Sequence, residues 1–453
     1  MNGAVSLPLD VAELAFAASG DALVRRTLLP DGARVLSERV PGARSVTVGF
    51  WVTVGSRDED EATDGRSASF GSTHFLEHLL FKGTDSRTAL DIAVSFDSVG
   101  GEHNAATSKE YTCYYAKVQD KDLTMAVTVI GDMLTSSLID PDEFDNERQV
   151  ILEELAMAED DPADVASERL YEAVLGGHPL GRPIGGDPQT IRAATRDGVW
   201  QHYRGSYRPE NIVVVAAGAV DHDRFVADVA AALARGEGAD AGATAPSPRR
   251  PVAPAELARQ ASVVTVQRPV EQVNLFLGTP GMVATDGRRT AMAVLNSVLG
   301  GGMSSRLFQE IREKRGLAYS VYSFAAGFSD AGLFGVYAGC AQRKAVQVVE
   351  LARAELERLA EYGITGEELR RAAGQLSGAS ALALEDSDTR MTRLGRAEIS
   401  MGEFSDLDES LRRLALVTAP DVQALAQELV SRPFTLAAVG EVDEDAFAGL
   451  GLG

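Results

Sequence analysis

Cysteine is scarce in this chain of 453 residues: Cys113 and Cys340 are the only two. That excludes a disulfide framework and a cysteine-rich metal cluster, and it fits a reducing compartment. Histidine is scarce as well. There are six, none beyond His222, so the second half has no imidazole to offer a metal centre. No apolar run approaches the ~20 residues that a membrane span requires. The N-terminus, MNGAVSLPLDVAELAFAASGD, lacks a basic stretch and carries Asp10, Glu13 and Asp21. It matches neither a secretory signal nor an Arg-rich transit peptide, so a cytoplasmic protein with no membrane partner is expected. Positive charge is also short, with 43 Lys and Arg against 66 Asp and Glu and a formal net charge of −23. Nucleic acid is therefore a poor partner, because phosphate backbones draw on clustered cations.

What is present suits a globular protein: 45% hydrophobic and 24% charged residues, in a chain long enough for about two to four domains. Two stretches echo one another. RPENIVVVAAGAVDHDRF begins at Arg208 and RPFTLAAVGEVDEDAF at Arg432, each an apolar strand, a Gly turn, Val-Asp and a helix start closing on Phe225 or Phe447. ARSVTVGFWVTVGSRDE and VEQVNLFLGTPGMVATD likewise match as β-rich runs followed by polar turns. Between the halves, GEGADAGATAPSPRRPVAPAE (236–256) reads as a linker. The expectation is an α+β protein of two duplicated domains, 22–235 and 257–450, each a mostly antiparallel sheet packed with helices. Apolar spacing predicts helices over 120–137, 141–158, 343–361 and 366–383.

The chemistry centres on GSTHFLEHLLFKGT. Ser72 and Thr73 are helix-start residues and Gly83 a stop, predicting a short helix over 74–81. At about 100° per residue His74 and His78 stand one above the other. Two imidazoles so placed can grip one zinc ion, and Glu77, rotated off the ligand direction, can reach a metal-bound water as base. A third donor has to be a carboxylate. In PDEFDNERQVILEELAMAEDDP, Ile151, Leu155 and Ala158 fall within about 40° of Phe144 on a helical wheel and define the buried face. Glu147 and Glu154 lie together on its shoulder, about 60 to 80° away, while Glu153 points nearly opposite. An acid at a buried edge needs a cation or hydrogen-bond partner, and both Glu147 and Glu154 meet that description.

HFLEHLLFKGT, GGEHNAATSKEYTCYYA, ERQVILEEL and HPLGRPIGG together resemble, in order and spacing, the inverted zinc peptidases of the pitrilysin and insulinase family. The likeness is to the branch that holds the mitochondrial processing peptidase β subunit and its bacterial homologues. The resemblance implies one Zn2+ per chain held by His74, His78 and Glu154. Glu77 would be the general base, and Glu147 an outer acid that orients His78 or supports the site. It implies an edge strand that pairs with extended peptide substrates, with Asn104 and Ala105 near the cleavage point. It also implies an Arg312 and Tyr319 pair in the second half, Arg312 holding substrate carbonyls or a carboxylate and Tyr319 stabilising the oxyanion. With both halves in one chain, a homodimer is expected, each Arg312 and Tyr319 facing the partner's zinc across an enclosed chamber. The activity implied is a zinc metalloendopeptidase for unfolded peptides. The rival reading is a non-catalytic structural subunit of the same fold. His103, His178, His202 and His222 read as structural, His222 in a turn.

Overall fold

Val46, Val48, Phe50 and Val52 alternate with Thr47, Gly49 and Trp51 along Ser45–Val52, and every one of them is buried. IVVVAAG at Ile212–Gly218 is buried throughout as well. Strands without a polar face must be covered on both sides, and this dictates the layering of the molecule. The computed structural model describes residues 3–61, 69–234, 244–250, 254–255, 257 and 262–451. The chain divides into two units. The first comprises Met1–Leu155, Pro183–Arg249 and Leu382–Glu409, and the second Ala156–Arg182, Arg250–Ala381 and Ser410–Gly453.

In the first unit β1 (Glu13–Ala18), β2 (Ala22–Leu28), β3 (Arg34–Arg39), β4 (Ser45–Val52), β5 (Glu102–Thr107), β6 (Thr112–Gln119) and β7 (Ile212–Gly218) form one sheet, ordered β1-β2-β3-β7-β4-β6-β5. In the second, β8 (Ser262–Gln267), β9 (Gln272–Pro280), β10 (Ala318–Gly327), β11 (Gly332–Ala341) and β12 (Thr435–Gly440) are ordered β10-β11-β9-β12-β8. Each sheet is antiparallel except for one pair, β3 with β7 and β8 with β12. The principal helices, in chain order, are α1 (Ser72–Leu79), α2 (Leu123–Ser136), α3 (Pro141–Asp160), α4 (Pro162–Leu175), α5 (His222–Leu233), α6 (Arg289–Gly300), α7 (Ala345–Tyr362), α8 (Gly366–Ala383), α9 (Ser387–Arg396) and α10 (Ala419–Val430). The four long predicted helices correspond to α2, α3, α7 and α8. Among the described residues no helix is long and apolar enough to cross a membrane.

One face of the first sheet, through Val46, Val48, Phe50 and Val214, packs on Phe75 and Leu76 of α1, Val127 and Ile130 of α2 and Phe225 of α5. Its other face, through Trp51, Val213 and Val215, packs on Met391 and Leu394 of α9. The second sheet repeats this arrangement. Leu275, Leu277 and Leu436 meet α6, α7 and α10, and Phe276, Ala437 and Val439 meet Val165, Ala166, Leu170 and Val174 of α4. The units are thus not two contiguous spans, because 156–182 belongs with the second sheet and 382–409 with the first. The apolar stripes of α4 and α9 are what assign them, each closing a face that would otherwise expose Phe276 or Trp51 to water.

Ion pairs reinforce α9. Glu38 of β3, fully buried, accepts from Arg390 Nη1 at 2.7 Å and Arg393 Nη2 at 2.9 Å. Glu398, just past α9 and equally buried, lies 3.3 Å from Arg26, 3.5 Å from Arg34 and 3.1 Å from Arg249. Of the expected linker, residues 236–243, 251–253 and 256 lie outside the described residues. The part at 244–250 is held by Thr244 N to Pro30 O at 2.9 Å and Ser247 N to Glu210 O at 2.9 Å.

Candidate metal centre

α1 begins at Ser72, two residues earlier than the expected start at His74. Gly71, in the left-handed region at φ 88°, is the N-cap, and Ser72 and Thr73 are buried inside the first turn instead of capping it. The cap comes from a distance: Glu59 accepts from Gly71 N and Thr73 N, both at 2.8 Å, which satisfies the free amides and places negative charge at the positive end of the helix. The turn Leu80–Lys82 then runs out at Gly83 (φ 125°). Phe75 stacks on Phe144 of α3 at 4.5 Å and 9°, and this contact sets the two helices side by side with their polar residues on a shared flank.

His74, His78 and Glu154 converge on that flank, with ligand atoms from all three within 4.8 Å of one another. Glu154 Oε2 is 3.4 Å from His78 Nε2 and 3.7 Å from His74 Nε2. Donors about 2.0–2.1 Å from a tetrahedral ion stand some 3.4 Å apart, so the set matches two nitrogens and an oxygen around zinc. Between the two acids left open by the helical wheel, the geometry discriminates. Glu147 is 4% exposed, and its Oε2 lies 2.9 Å from His78 Nδ1, behind the imidazole. Glu154, with a side chain 46% exposed, lies in front of it. α3 buries Phe144, Glu147 and Ile151, but Ala158 is exposed, because beyond Leu155 the helix leaves the first unit.

Burial first, then the neighbouring His78, holds the His74 imidazole below its ordinary pKa against the pull of Glu77 and Glu154. The neutral ring this favours is the form that ligates metals. Behind His74 runs the GG of HPLGRPIGG: a Cβ on Gly185 would come within 3.1 Å of Leu155 Cδ2 and 3.5 Å of His74 Nδ1. Bare backbone at this position lets the loop back the ring closely. Glu77 turns away from the three donors toward β5, where its Oε2 accepts from Thr107 N at 2.8 Å and Thr107 Oγ1 at 2.5 Å. β5 is the edge of its sheet, paired only with β6 among the described residues. Asn104 on it is exposed and Ala105 buried, and Asn104 Oδ1 accepts from Ala105 N at 2.8 Å.

Two family models cover most of the chain: insulinase (peptidase family M16) over residues 34–188, and peptidase M16 inactive domain over 193–376. An uncharacterized zinc protease of Streptomyces coelicolor is 48% identical over 429 residues, 94% of this chain and 91% of the relative. The chain belongs to the insulinase family of peptidases, M16. An uncharacterized zinc protease of Bacillus subtilis is 37% identical over 417 residues, 92% of this chain and 98% of the relative. A crystal structure described as a peptidase M16 inactive domain from Pseudomonas fluorescens shares the fold, with a TM-score of 0.80 at 20% identity, covering 96% of this chain and 99% of that one.

Arg312 and Tyr319 belong to the second unit of this M16 chain. They are brought together there, the Arg312 guanidinium lying 4.6 Å from the centre of the Tyr319 ring and 4.7 Å from that of Phe308. Both sit on irregular backbone: Arg312 in a π-helical turn, Phe308–Glu313, and Tyr319 at a break in the β10–β11 register between Ala318 and Ser320. Such irregularities re-aim side chains, and Tyr319 is 75% exposed. The other described histidines find partners outside this donor cluster. His103 stacks on Phe96 at 4.4 Å, His178 Nδ1 accepts from Leu180 N, and His202 Nε2 is 3.0 Å from Thr73 Oγ1. His222 is not in a turn but opens α5, buried between Ser37 and Thr27. Thr107 and Lys82 escaped the sequence reading although both lie inside its motifs. Lys82 is four residues past His78, a spacing that signals a shared face.

Proposed function

We propose that this protein is a zinc metalloendopeptidase acting on extended or unfolded peptides, with one zinc per chain held by His74, His78 and Glu154. The observation that carries the reading is the convergence of two imidazole Nε2 atoms and one half-exposed carboxylate, with a second carboxylate, Glu77, one residue from His78. When bound, zinc supplies Lewis acidity toward a scissile carbonyl and lowers the pKa of water toward ~7. Three protein donors with a side open to solvent is the catalytic pattern, whereas structural zinc is normally closed by four. Glu77, its Oε2 pinned by Thr107, offers Oε1 as the proton carrier. It accepts a proton from the attacking water as the new C–O bond forms, then delivers it to the leaving nitrogen as the C–N bond breaks.

β5 provides the natural dock for a substrate backbone, since an edge strand presents unpaired main-chain groups to an extended peptide. Asn104 and Ala105 would flank the bond to be cut, and Arg312 and Tyr319 would hold substrate oxygens. A homodimer belongs to the same proposal. An E77Q chain mixed with an R312A chain should regain hydrolysis if the two sets of residues act from different chains.

The deciding experiment is a peptide-library digest read by mass spectrometry, run with metal analysis on wild type and E77Q. The expected result is about one zinc per chain in both and a loss of roughly 10²–10⁴-fold in hydrolysis for E77Q. Full activity in E77Q removes Glu77 as base, and a wild-type protein purified without stoichiometric zinc favours the structural-subunit reading instead.

A further inference from the structure

We propose that Lys82 is a positioning residue of the metal centre, acting on His78 through Glu147. The proposal rests on the reading of His74, His78 and Glu154 as metal donors. Lys82 closes the turn after α1, and its Nζ lies 2.6 Å from Oε1 of Glu147. The other oxygen of the same carboxylate, Oε2, lies 2.9 Å from His78 Nδ1. The far ring nitrogen, Nε2, faces Glu154 at 3.4 Å. Ammonium, carboxylate, imidazole and ligand atom therefore form one continuous chain.

Each link has a physical task. Glu147 is almost wholly out of water, its side chain 5% exposed, and a buried carboxylate needs more than a single neutral partner to stay put. Lys82 provides a full opposite charge, and its own side chain, 31% exposed, reaches solvent. Arg148, the next cation along α3, is committed elsewhere, donating to Ile191 O at 2.7 Å and Ala194 O at 2.9 Å. With Oε1 tied to Lys82, the plane of the carboxylate is fixed and Oε2 is left to accept from Nδ1–H. An acceptor at Nδ1 selects the tautomer that puts the lone pair of His78 on Nε2, aimed at the donor cluster. A ring fixed at one end by a tethered carboxylate also loses little freedom when its other end takes a ligand. Lys82 thus prepares His78 from outside the ring of donors, without touching substrate or metal.

The test uses the full chain, loaded with zinc or with cobalt(II) as a spectroscopic probe. Zinc affinity is measured by competition with a chromogenic chelator, and cobalt geometry by visible absorption. Lys82→Met should weaken zinc binding by about 10–100-fold and change the cobalt spectrum, while Lys82→Arg, which keeps the charge, should recover most of the affinity. In a Glu147→Gln background the Lys82→Met change should cost nothing further, because the link is already cut. Equal losses from Lys82→Met with Glu147 intact or replaced would overturn the proposal by showing that Lys82 acts on general stability. So would a Lys82→Met chain with wild-type affinity and spectrum. A wild-type chain that takes up no zinc at all sinks the metal-centre reading itself, an outcome distinct from loss in the variant alone.

Discussion

The two sheets share five strands in one order and one set of directions, β3-β7-β4-β6-β5 in the first and β8-β12-β9-β11-β10 in the second. Their edge hairpins close alike. Thr107 faces Thr112 across the first, Gly327 faces Gly332 across the second, and four residues bridge each, 108–111 and 328–331. What differs is the chemistry laid on this common frame. α1 carries two histidines and a glutamate. α6, RTAMAVLNSVLG, carries none. Where Thr107 holds Glu77, its counterpart is Gly327, which has no side chain to hold anything. Regular pairing persists around the metal centre, while the irregular backbone of the second repeat lies at Arg312 and Tyr319. Strand pairing and burial keep the fold in both copies, and among the described residues a handful of side chains on α1 and α3 give only one of them a candidate metal-donor cluster.

The largest effect we expect breaks the comparison at the helices that cover each sheet's second face. α9 is fixed by buried carboxylates, so Glu398→Ala strands Arg26 and Arg34 with no counter-charge. The expected cost is about 3–5 kcal/mol, measured by urea unfolding followed through Trp51, which packs on α9. α4 is docked through apolar contact, Leu170 lying over Gly278. Leu170→Ala should cost about 2–4 kcal/mol, read by far-UV circular dichroism because both tryptophans lie in the first unit. An apolar loss as large as the ionic one would remove the distinction between the two dockings.

Much of this was legible from the sequence, and the reasons are specific. The spacing of His74 and His78 fixed a shared face because a helix turn is 3.6 residues, and the apolar register of Phe144 and Ile151 put Glu147 and Glu154 on one flank. The split between them came from the family resemblance and not from the helical wheel. Periodicity gives an angle around an axis, not which acid stands behind the imidazole and which in front. The helix cap was hidden for a different reason, since Glu59 acts from 12 positions before Gly71 and leaves no local signature. The exchange of α4 and α9 was not legible, since bounds of 22–235 and 257–450 keep each with its sequence neighbours, and an apolar stripe names a face to bury but not the sheet that buries it.

A mid-sized effect sharpens the contrast between the two hairpins. Thr107→Val removes one of two hydrogen bonds to the Glu77 carboxylate, and a bond to a charged group is worth about 1.5–3 kcal/mol. Turnover should fall roughly 10–100-fold with KM and zinc content held, and Thr107→Ser should restore it. The matching change in the second repeat, Gly327→Ala, should leave zinc uptake as it was.

The smallest effect concerns acid stability, and it turns on His222, buried at the start of α5. Its Nδ1 is 2.8 Å from Ser37 Oγ and its Nε2 3.0 Å from Thr27 Oγ1. Burial chiefly, with repulsion from Arg25, lowers its pKa below the ordinary value, against the attraction of Asp223, Glu13 and Asp221. A histidine with a lowered folded pKa binds fewer protons in the native state than in the unfolded chain. Its contribution is therefore complete above the unfolded value of about 6.5 and is lost as pH falls below it. Stability should decline with acidification from that point, by at most about 1.4 kcal/mol per pH unit from this group. His222→Gln, which retains hydrogen-bonding capacity without a titratable ring, should flatten the slope measured by urea unfolding between pH 7 and pH 5. An unchanged slope would show that His222 does not set the acid sensitivity of the first unit.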